Sequence, residues 1–438
     1  KKLLPQGKTT VFKAQLRILP SVAFISAFLN NTPVVVIFAP IIKHWAKSVN
    51  LPATKFLIPL SYVTILGGIC TLIGTSTNLV VHGMILEAGF EGFSMFELGK
   101  VGIFIAIAGI IYIFLFSKRL LPDARPDTAV PDEEVEEGEK LHRVEAVLGA
   151  RFPGINKKLK DFNFQRHYGA EVKEIKTRNG QRFVSNLEEV VLHEGDTLVV
   201  MADDTFIPTW GESSVFVLLT NGNEPDTTGK KKKRWFALLL LVLMIVGATV
   251  GELPITKEMF PDIKLDMFFF VSITTIIMAW TNLFPARKYT KYISWDILIT
   301  IACAFAISKA MVNSGVADSV AKFIIGLSDD YGPHVLLAMV FIITNLFTEL
   351  ITNNAAAALA FPLALSISAQ LGVSPTPFFV VICMAASASF STPIGYQTNL
   401  IVQGIGNYKF TDFVRIGLPL NIITFLISII LIPLIWNF

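Results

Sequence analysis

Charge is scarce in this chain. Only 16% of its 438 residues are Asp, Glu, Lys or Arg, while 53% are hydrophobic, and the formal net charge is +3. So small a net charge does not suggest a nucleic-acid partner, and none is expected. Cysteine is nearly absent: Cys70, Cys303 and Cys383 stand singly in apolar runs. That spacing offers neither a disulfide framework nor a thiolate metal site, and the three read as small packing residues. The six histidines have no ligand spacing; His44 and His82 are isolated and suit interfacial or packing roles. No nucleophile–base constellation and no phosphate-binding glycine loop is present, so the chain reads as no enzyme and as needing no cofactor. Period-two alternation is missing from the apolar runs, which excludes a transmembrane β-barrel. No cleavable signal peptide is visible. Lys1–Gln6 reads like a loop between helices, so further helices are expected before it.

What is abundant is long, nearly uncharged apolar sequence. Runs at 16–42, 56–83, 99–117, 235–251, 267–286, 295–312, 333–372, 376–406 and 413–436 match the roughly 20 residues a spanning helix needs. The fold class that follows is an all-α polytopic membrane protein. The pattern lapses once. An acidic linker is expected over 122–139, and a small α/β domain over 140–229. Strand-like runs lie at Glu145–Leu148, Ala170–Lys176, Thr197–Met201 and Val215–Leu219, with helices near Lys157–Tyr168 and Asp204–Trp210. The segment His193–Asp196 is a hairpin-type turn signal. Lys118 and Arg119 precede the insert and Lys230–Arg234 follow it, which places it in the cytoplasm. The membrane parts are then 1–121 and 230–438.

These two parts resemble each other. Leu29-Asn30-Asn31-Thr32-Pro33, followed by an apolar run to Pro40, is matched by Thr352-Asn353-Asn354-Ala355, followed by an apolar run to Pro362. Downstream, Ile73-Gly74-Thr75-Ser76-Thr77-Asn78-Leu79 is matched by Ile394-Gly395-Tyr396-Gln397-Thr398-Asn399-Leu400. Asn31 and Asn78 are 47 positions apart, and Asn354 and Asn399 are 45 apart. Two ordered pairs of motifs define an internal repeat. Any one Asn or Gly could serve helix packing alone; four in matched order point to a site. Paired amides in hydrocarbon are costly without partners or a polar cavity. Gly with several polar residues halfway along an apolar run is the pattern of a broken helix, whose unwound carbonyls suit a cation and whose half-helix N-termini suit an anion. Lys43, His44, Lys47 and Lys55 follow the first Asn-Asn hairpin, whereas Ala369–Pro377 after the second carries no charge; Arg287, Lys288 and Lys291, and later Lys409 and Arg415, return to the basic side. The repeats are therefore expected to be inverted, with re-entrant hairpins entering from opposite sides.

With these motifs the chain resembles the divalent anion–sodium symporters, the sodium/sulfate and sodium/dicarboxylate carriers. Phe164–Gly169 and Leu192–Asp196 make the insert similar to a TrkA-C (RCK C-terminal) domain, as in the branch that includes SAC1-like sulfate transporters. The resemblance implies a plasma-membrane homodimer working by elevator movement, with two sodium sites and an anion between them. It assigns Ser26, Asn30, Asn31, Gly74 and Asn78 to one sodium, and Thr352, Asn353, Asn354, Gly395 and Asn399 to the other. The anion falls to Asn31, Thr32, Thr75, Ser76, Thr77, Asn354, Tyr396, Gln397 and Thr398. Sodium is the one metal implied, and a small-molecule regulator of the insert is a further implied partner.

Here the tips read Asn-Asn-Thr and Asn-Asn-Ala where the family usually has Ser-Asn-Thr. The hydroxyl lost at Ala355, and motifs without Arg or Lys, favour sulfate, held by neutral donors, over a dicarboxylate such as succinate, malate or citrate. A proton-coupled antiporter and an RCK-regulated channel are the remaining alternatives. Glu349, one turn before the second Asn pair, is a candidate proton or cation site.

Overall fold

The computed structural model describes residues 4–5, 9–123, 141–149, 151–177, 181–203, 206–210, 215–220, 231–251, 254–259, 265, 267–281, 283, 295–327 and 332–438. Most of the expected acidic linker, and the charges Arg287, Lys288 and Lys291, lie outside the described residues.

The first membrane block holds α1 (Val11–Ser26), α2 (Asn31–Ser48), α3 (Leu57–Gly68), α4 (Ser76–Glu87) and α5 (Gly99–Leu120). Next come β1 (His142–Leu148), α6 (Phe164–Tyr168), β2 (Glu171–Lys176), β3 (Arg182–Phe183), β4 (Thr197–Ala202), α7 (Phe206–Trp210) and β5 (Phe216–Thr220). The second block runs through α8 (Lys231–Gly251), α9 (Pro254–Met259), α10 (Met267–Trp280), α11 (Trp295–Asn313) and α12 (Val316–Leu327). It ends with α13 (Gly332–Leu350), α14 (Asn353–Leu371), α15 (Thr376–Ser387), α16 (Gln397–Gly406) and α17 (Phe410–Ile435).

Among the described residues α5, α13, α14 and α17 are long and apolar enough to cross a membrane. The surfaces of α5 and α17 agree with that: Ile103, Ile107, Ile111 and Leu115 on one, and Leu418, Ile422, Leu426 and Ile430 on the other, are at least half exposed. An exposed apolar stripe at helical spacing is costly in water and suited to lipid. Four of the apolar runs are each two helices. The chain turns at 27–30 and 351–352 to make the helical hairpins α1–α2 and α13–α14, and it unwinds at 69–75 and 388–396 to split α3 from α4 and α15 from α16.

The two halves interlock. Within each, the first hairpin arm packs on the first half-helix, α1 on α3 and α13 on α15. The second arm crosses to the other half, α2 against α16 and α14 against α4, while α5 and α17 pair along their lengths.

Between the blocks lies an antiparallel sheet of order β3-β2-β4-β1-β5. It has its own core, with Phe152, Phe162, Phe164, Tyr168, Leu198, Val200 and Phe216 packed together. Helix near 157–168 is limited to a turn at Leu159–Asp161 and to α6, which Asn163 opens by accepting the Arg166 N–H (2.9 Å) and Gly169 closes in a left-handed conformation. The turn at His193–Asp196 forms, with Asp196 Oδ2 accepting the His193 N–H at 2.7 Å. It joins no two ladder neighbours, however: β4 pairs with β1 and β2, and Val191 before the turn bridges only to Lys158.

Close crossings fix where the helices touch. A Cβ on Gly417 of α17 would run into the carbonyl of Phe390, in the unwound segment between α15 and α16. Gly417→Ala is therefore expected to cost about 1–3 kcal/mol by forcing α17 away, read as a lower thermal midpoint of the purified protein in detergent.

Candidate functional site

Each hairpin tip is built the same way. Ser26 Oγ donates to Asn31 Oδ1 (2.7 Å), and Thr348 Oγ1 donates to Asn353 Oδ1 (2.8 Å). Thr71 Oγ1 donates to the carbonyl of Ala27, and Thr392 Oγ1 to that of Glu349 (3.0 Å). The same hydroxyls accept the N–H of Gly74 (3.1 Å) and of Gly395 (3.3 Å). These contacts set the repeat register one residue from the sequence match. Asn31 corresponds to Asn353, Thr32 to Asn354, and Ala27 to Glu349, because the second turn begins one residue earlier than the Asn-Asn pairing implies.

Asn78 and Asn399 brace the breaks. Asn78 Nδ2 donates to the carbonyl of Thr71 (2.9 Å), and Asn399 Nδ2 to those of Ser389 (2.8 Å) and Thr392 (3.1 Å). Unwound backbone in an apolar setting needs such partners. Oxygens also gather beside the glycines. A Cβ on Gly74 would lie 2.5 Å from the Gly68 oxygen and 2.9 Å from that of Ala27, and a Cβ on Gly68 would lie 2.7 Å from Asn31 Oδ1. On the other side, a Cβ on Gly395 would collide with Ser389 Oγ and the Thr348 oxygen. Only glycine leaves these two oxygen clusters open.

The halves meet at Tyr396. Its hydroxyl accepts from Asn31 Nδ2 (2.5 Å) and lies 3.2 Å from Thr75 Oγ1. Ser76 Oγ and Thr77 Oγ1 both donate to Asn354 Oδ1 (3.3 and 3.2 Å), and Thr32 Oγ1 lies 3.4 Å from Gln397 Oε1. These bonds draw together the N-termini of α2, α4, α14 and α16. Their cap residues, Asn30, Thr75, Thr352 and Tyr396, make no side-chain capping bond. First-turn N–H groups and the positive ends of four helix dipoles thus face one place, an arrangement suited to an anion. Thr398 points elsewhere, to Ser61 Oγ at 2.8 Å. Ser61 is fully buried and also donates to Asn399 Oδ1 (2.6 Å); no sequence pattern marks it. Thr71 and Thr392 were equally unforeseen, although the repeated Thr-x-x-Gly spacing carries them.

The sheet unit rests against this region. Lys43 at the far end of α2 binds both carboxylate oxygens of Glu145 on β1 (3.0 and 3.2 Å). Burial alone would push the Glu145 carboxyl up, but Lys43, and after it Lys176, hold it down at about 2. Folding lowers this value, so the stability it contributes is complete above the ordinary carboxylate range and is lost as pH falls toward about 2. Gly195, in the turn before β4, meets Leu400 of α16, and a Cβ on Gly404 of α16 would lie 3.8 Å from that of Thr197.

Tyr396→Phe keeps the ring and removes the one hydroxyl that links Asn31 to the opposite break. The expected outcome is a loss of about 1–3 kcal/mol of stability, because the buried Asn31 Nδ2 loses this acceptor; a lower thermal midpoint of the purified protein in detergent measures it.

Comparison with known proteins identifies the family. The model of the citrate transporter (CitMHS) family matches residues 1–371 and, in a second overlapping match, 263–438. An uncharacterised transporter of Synechocystis is 30% identical over 94% of this chain and 81% of its own length. A candidate sulfur deprivation response regulator of Chlamydomonas reinhardtii is 28% identical over 95% of the chain and 85% of its own length. Sodium/sulfate cotransporter 2 of the same alga is 32% identical over 64% of the chain but 31% of its own length. The chain belongs to the citrate transporter family, among the divalent anion–sodium symporters that its motifs resemble.

Proposed function

We propose that this multi-pass membrane protein is a secondary active carrier that moves sulfate together with sodium by elevator-type alternating access. The observation that carries the reading is the meeting of four uncapped helix N-termini from both halves. An anion there is held by backbone N–H groups, by Thr32, Thr75, Ser76 and Thr77, and by Asn31, Asn354, Tyr396 and Gln397. No Arg or Lys stands in either motif, and a compact tetrahedral oxyanion suits neutral donors. The sodium/sulfate cotransporters of Chlamydomonas, similar over 64% of the chain, support the same choice. A tricarboxylate or dicarboxylate is the second reading, favoured by the description of the matching family.

Sodium ions, as cargo, sit in the two oxygen clusters. The first takes Ser26, Asn30, Asn31, Gly74 and Asn78, and Asn78 supplies a buried Oδ1 with no hydrogen-bond partner. The second takes Thr352, Asn353, Asn354, Gly395 and Asn399. Cation sites on either side of an anion lower its charge cost in a dry setting and make each ligand's binding depend on the other. The hairpins are re-entrant, the protein works in the plasma membrane as a homodimer, and the sheet unit is a cytoplasmic TrkA-C-like domain that answers a small-molecule regulator.

Two measurements test this. In proteoliposomes, sodium-dependent uptake of labelled sulfate is expected to be suppressed by unlabelled sulfate far better than by succinate or citrate, and to vanish in Asn31→Ala, Asn353→Ala and Asn354→Ala proteins that still elute as folded species. Stronger competition by citrate would move the assignment to the second reading. The Thr197→Cys/Gly404→Cys pair has a Cβ separation that a disulfide accepts. Oxidation is expected to arrest uptake and reductant to restore it, since the sheet unit then stays fixed to α16. Full transport by the oxidised protein would remove the sheet unit from the cycle.

A further inference from the structure

Of the side chains assigned to the anion, Gln397 is the exposed one; the rest are buried or half-buried. The centre is therefore reached from the Gln397 side. Gln397, Leu400, Ile401 and Gly404 recur at helical spacing, so they form one stripe that runs along α16 away from that opening. The sheet unit lies on this stripe. A narrow crevice is lined by Leu148, Glu194 and Gly195 on one side and by Gln397, Leu400 and Ile401 on the other. Leu400, which Gly195 meets, is only about 4.5 Å along the helix from Gln397. The turn 193–196 thus stands directly below the exposed edge of the centre.

The contact is close on both sides. Gly195 has a φ of 84°, which favours glycine, and a Cβ there would lie 2.9 Å from Leu400 Cδ2. A Cβ on Gly404 would lie 2.5 Å from Thr197 Oγ1. That hydroxyl oxygen is buried and has no hydrogen-bond partner. Shutting it away unpaired costs free energy that water restores when the contact opens. The interface is tight in shape yet carries a penalty that opening relieves, as suits a contact made and broken repeatedly. The turn does not withdraw alone. The Leu148 N–H donates to the Asp196 carbonyl (2.8 Å) and the Gly195 N–H to the Leu148 carbonyl (2.9 Å), which ties the turn to β1. In turn β1 is pinned to α2, because Lys43 Nζ donates to both carboxylate oxygens of Glu145 (3.0 and 3.2 Å).

We propose that the turn 193–196 is a lid on the transport centre and that the Lys43–Glu145 pair is its catch. With the sheet unit docked on α2 and α16, the turn blocks the path that leads from Gln397 along the α16 stripe, and Glu194 sets a negative charge in the way of an anion. Parting of Lys43 from Glu145 lets β1 and the turn withdraw as one piece, which opens that path. The sheet unit in this way limits how fast the anion passes, while the residues that bind it stay unchanged. This rests on the carrier reading, but the opening of the lid can be read without transport.

The test is thiol labelling of the full chain carrying Leu400→Cys, in permeabilised proteoliposomes, by a charged maleimide. Peptide mass spectrometry separates residue 400 from Cys70, Cys303 and Cys383. Two variants open the lid from different sides: Lys43→Gln removes the catch, and Gly404→Ala wedges the contact from α16. Neither residue is assigned to a ligand. Each variant is expected to speed labelling about tenfold, the effect of losing a hydrogen bond between charged groups. With Leu400 restored, each is also expected to raise the initial rate of sodium-dependent sulfate uptake. Equal labelling in the parent and in both variants overturns the lid. Faster labelling with unchanged or slower sulfate uptake overturns it as well. Faster labelling in a protein that carries neither sulfate nor citrate keeps the lid over the centre and sinks the carrier reading.

Discussion

Everything in the site follows from one constraint: a helix interrupted in an apolar interior leaves backbone groups that water cannot satisfy. The two breaks solve this with the same residues. Thr71 and Thr392 tie each break to a hairpin tip, and Asn78 and Asn399 reach back to hold unwound carbonyls. Once those groups are occupied, what faces the centre is the first turns of four helices whose cap residues make no side-chain capping bond. The interior braces and this meeting of helix N-termini are thus consequences of the same interruption.

The braces also decide what can move. Because α2 lies against α16 and α14 against α4, each hairpin is held by the opposite half. The sheet unit touches both members of one such pair, through Glu145 to Lys43 of α2 and through Gly195 and Thr197 to α16. Since α16 has ten residues, about 15 Å of rigid rod, its N-terminal end at the meeting of the four helices and its sheet-facing end cannot be displaced independently.

The architecture was legible because membrane insertion leaves a strong mark: long apolar runs, with basic residues bunched at some ends. The tip and break motifs were legible because they occur twice. What stayed hidden was the finer register, since Asn353 and Asn354 are chemically alike and only the bond from Thr348 distinguishes them. Ser61 was invisible because it lies on an otherwise ordinary apolar helix and has no repeated counterpart. The helix expected near 157–168 failed for a local reason: Asn156 adopts a positive φ of 62°, and Gly169 ends α6 after five residues.

The crossing of the halves makes the two-part design obligatory. Either half alone supplies two of the four N-termini and one oxygen cluster, and the second arm of its hairpin loses the partner it has in the other half, α16 for α2 and α4 for α14. Neither half on its own assembles the meeting point, so a substitution that loosens one hairpin disturbs the surroundings of the other. The exchange of Ala27 for Glu349 marks one place where the two halves are not interchangeable.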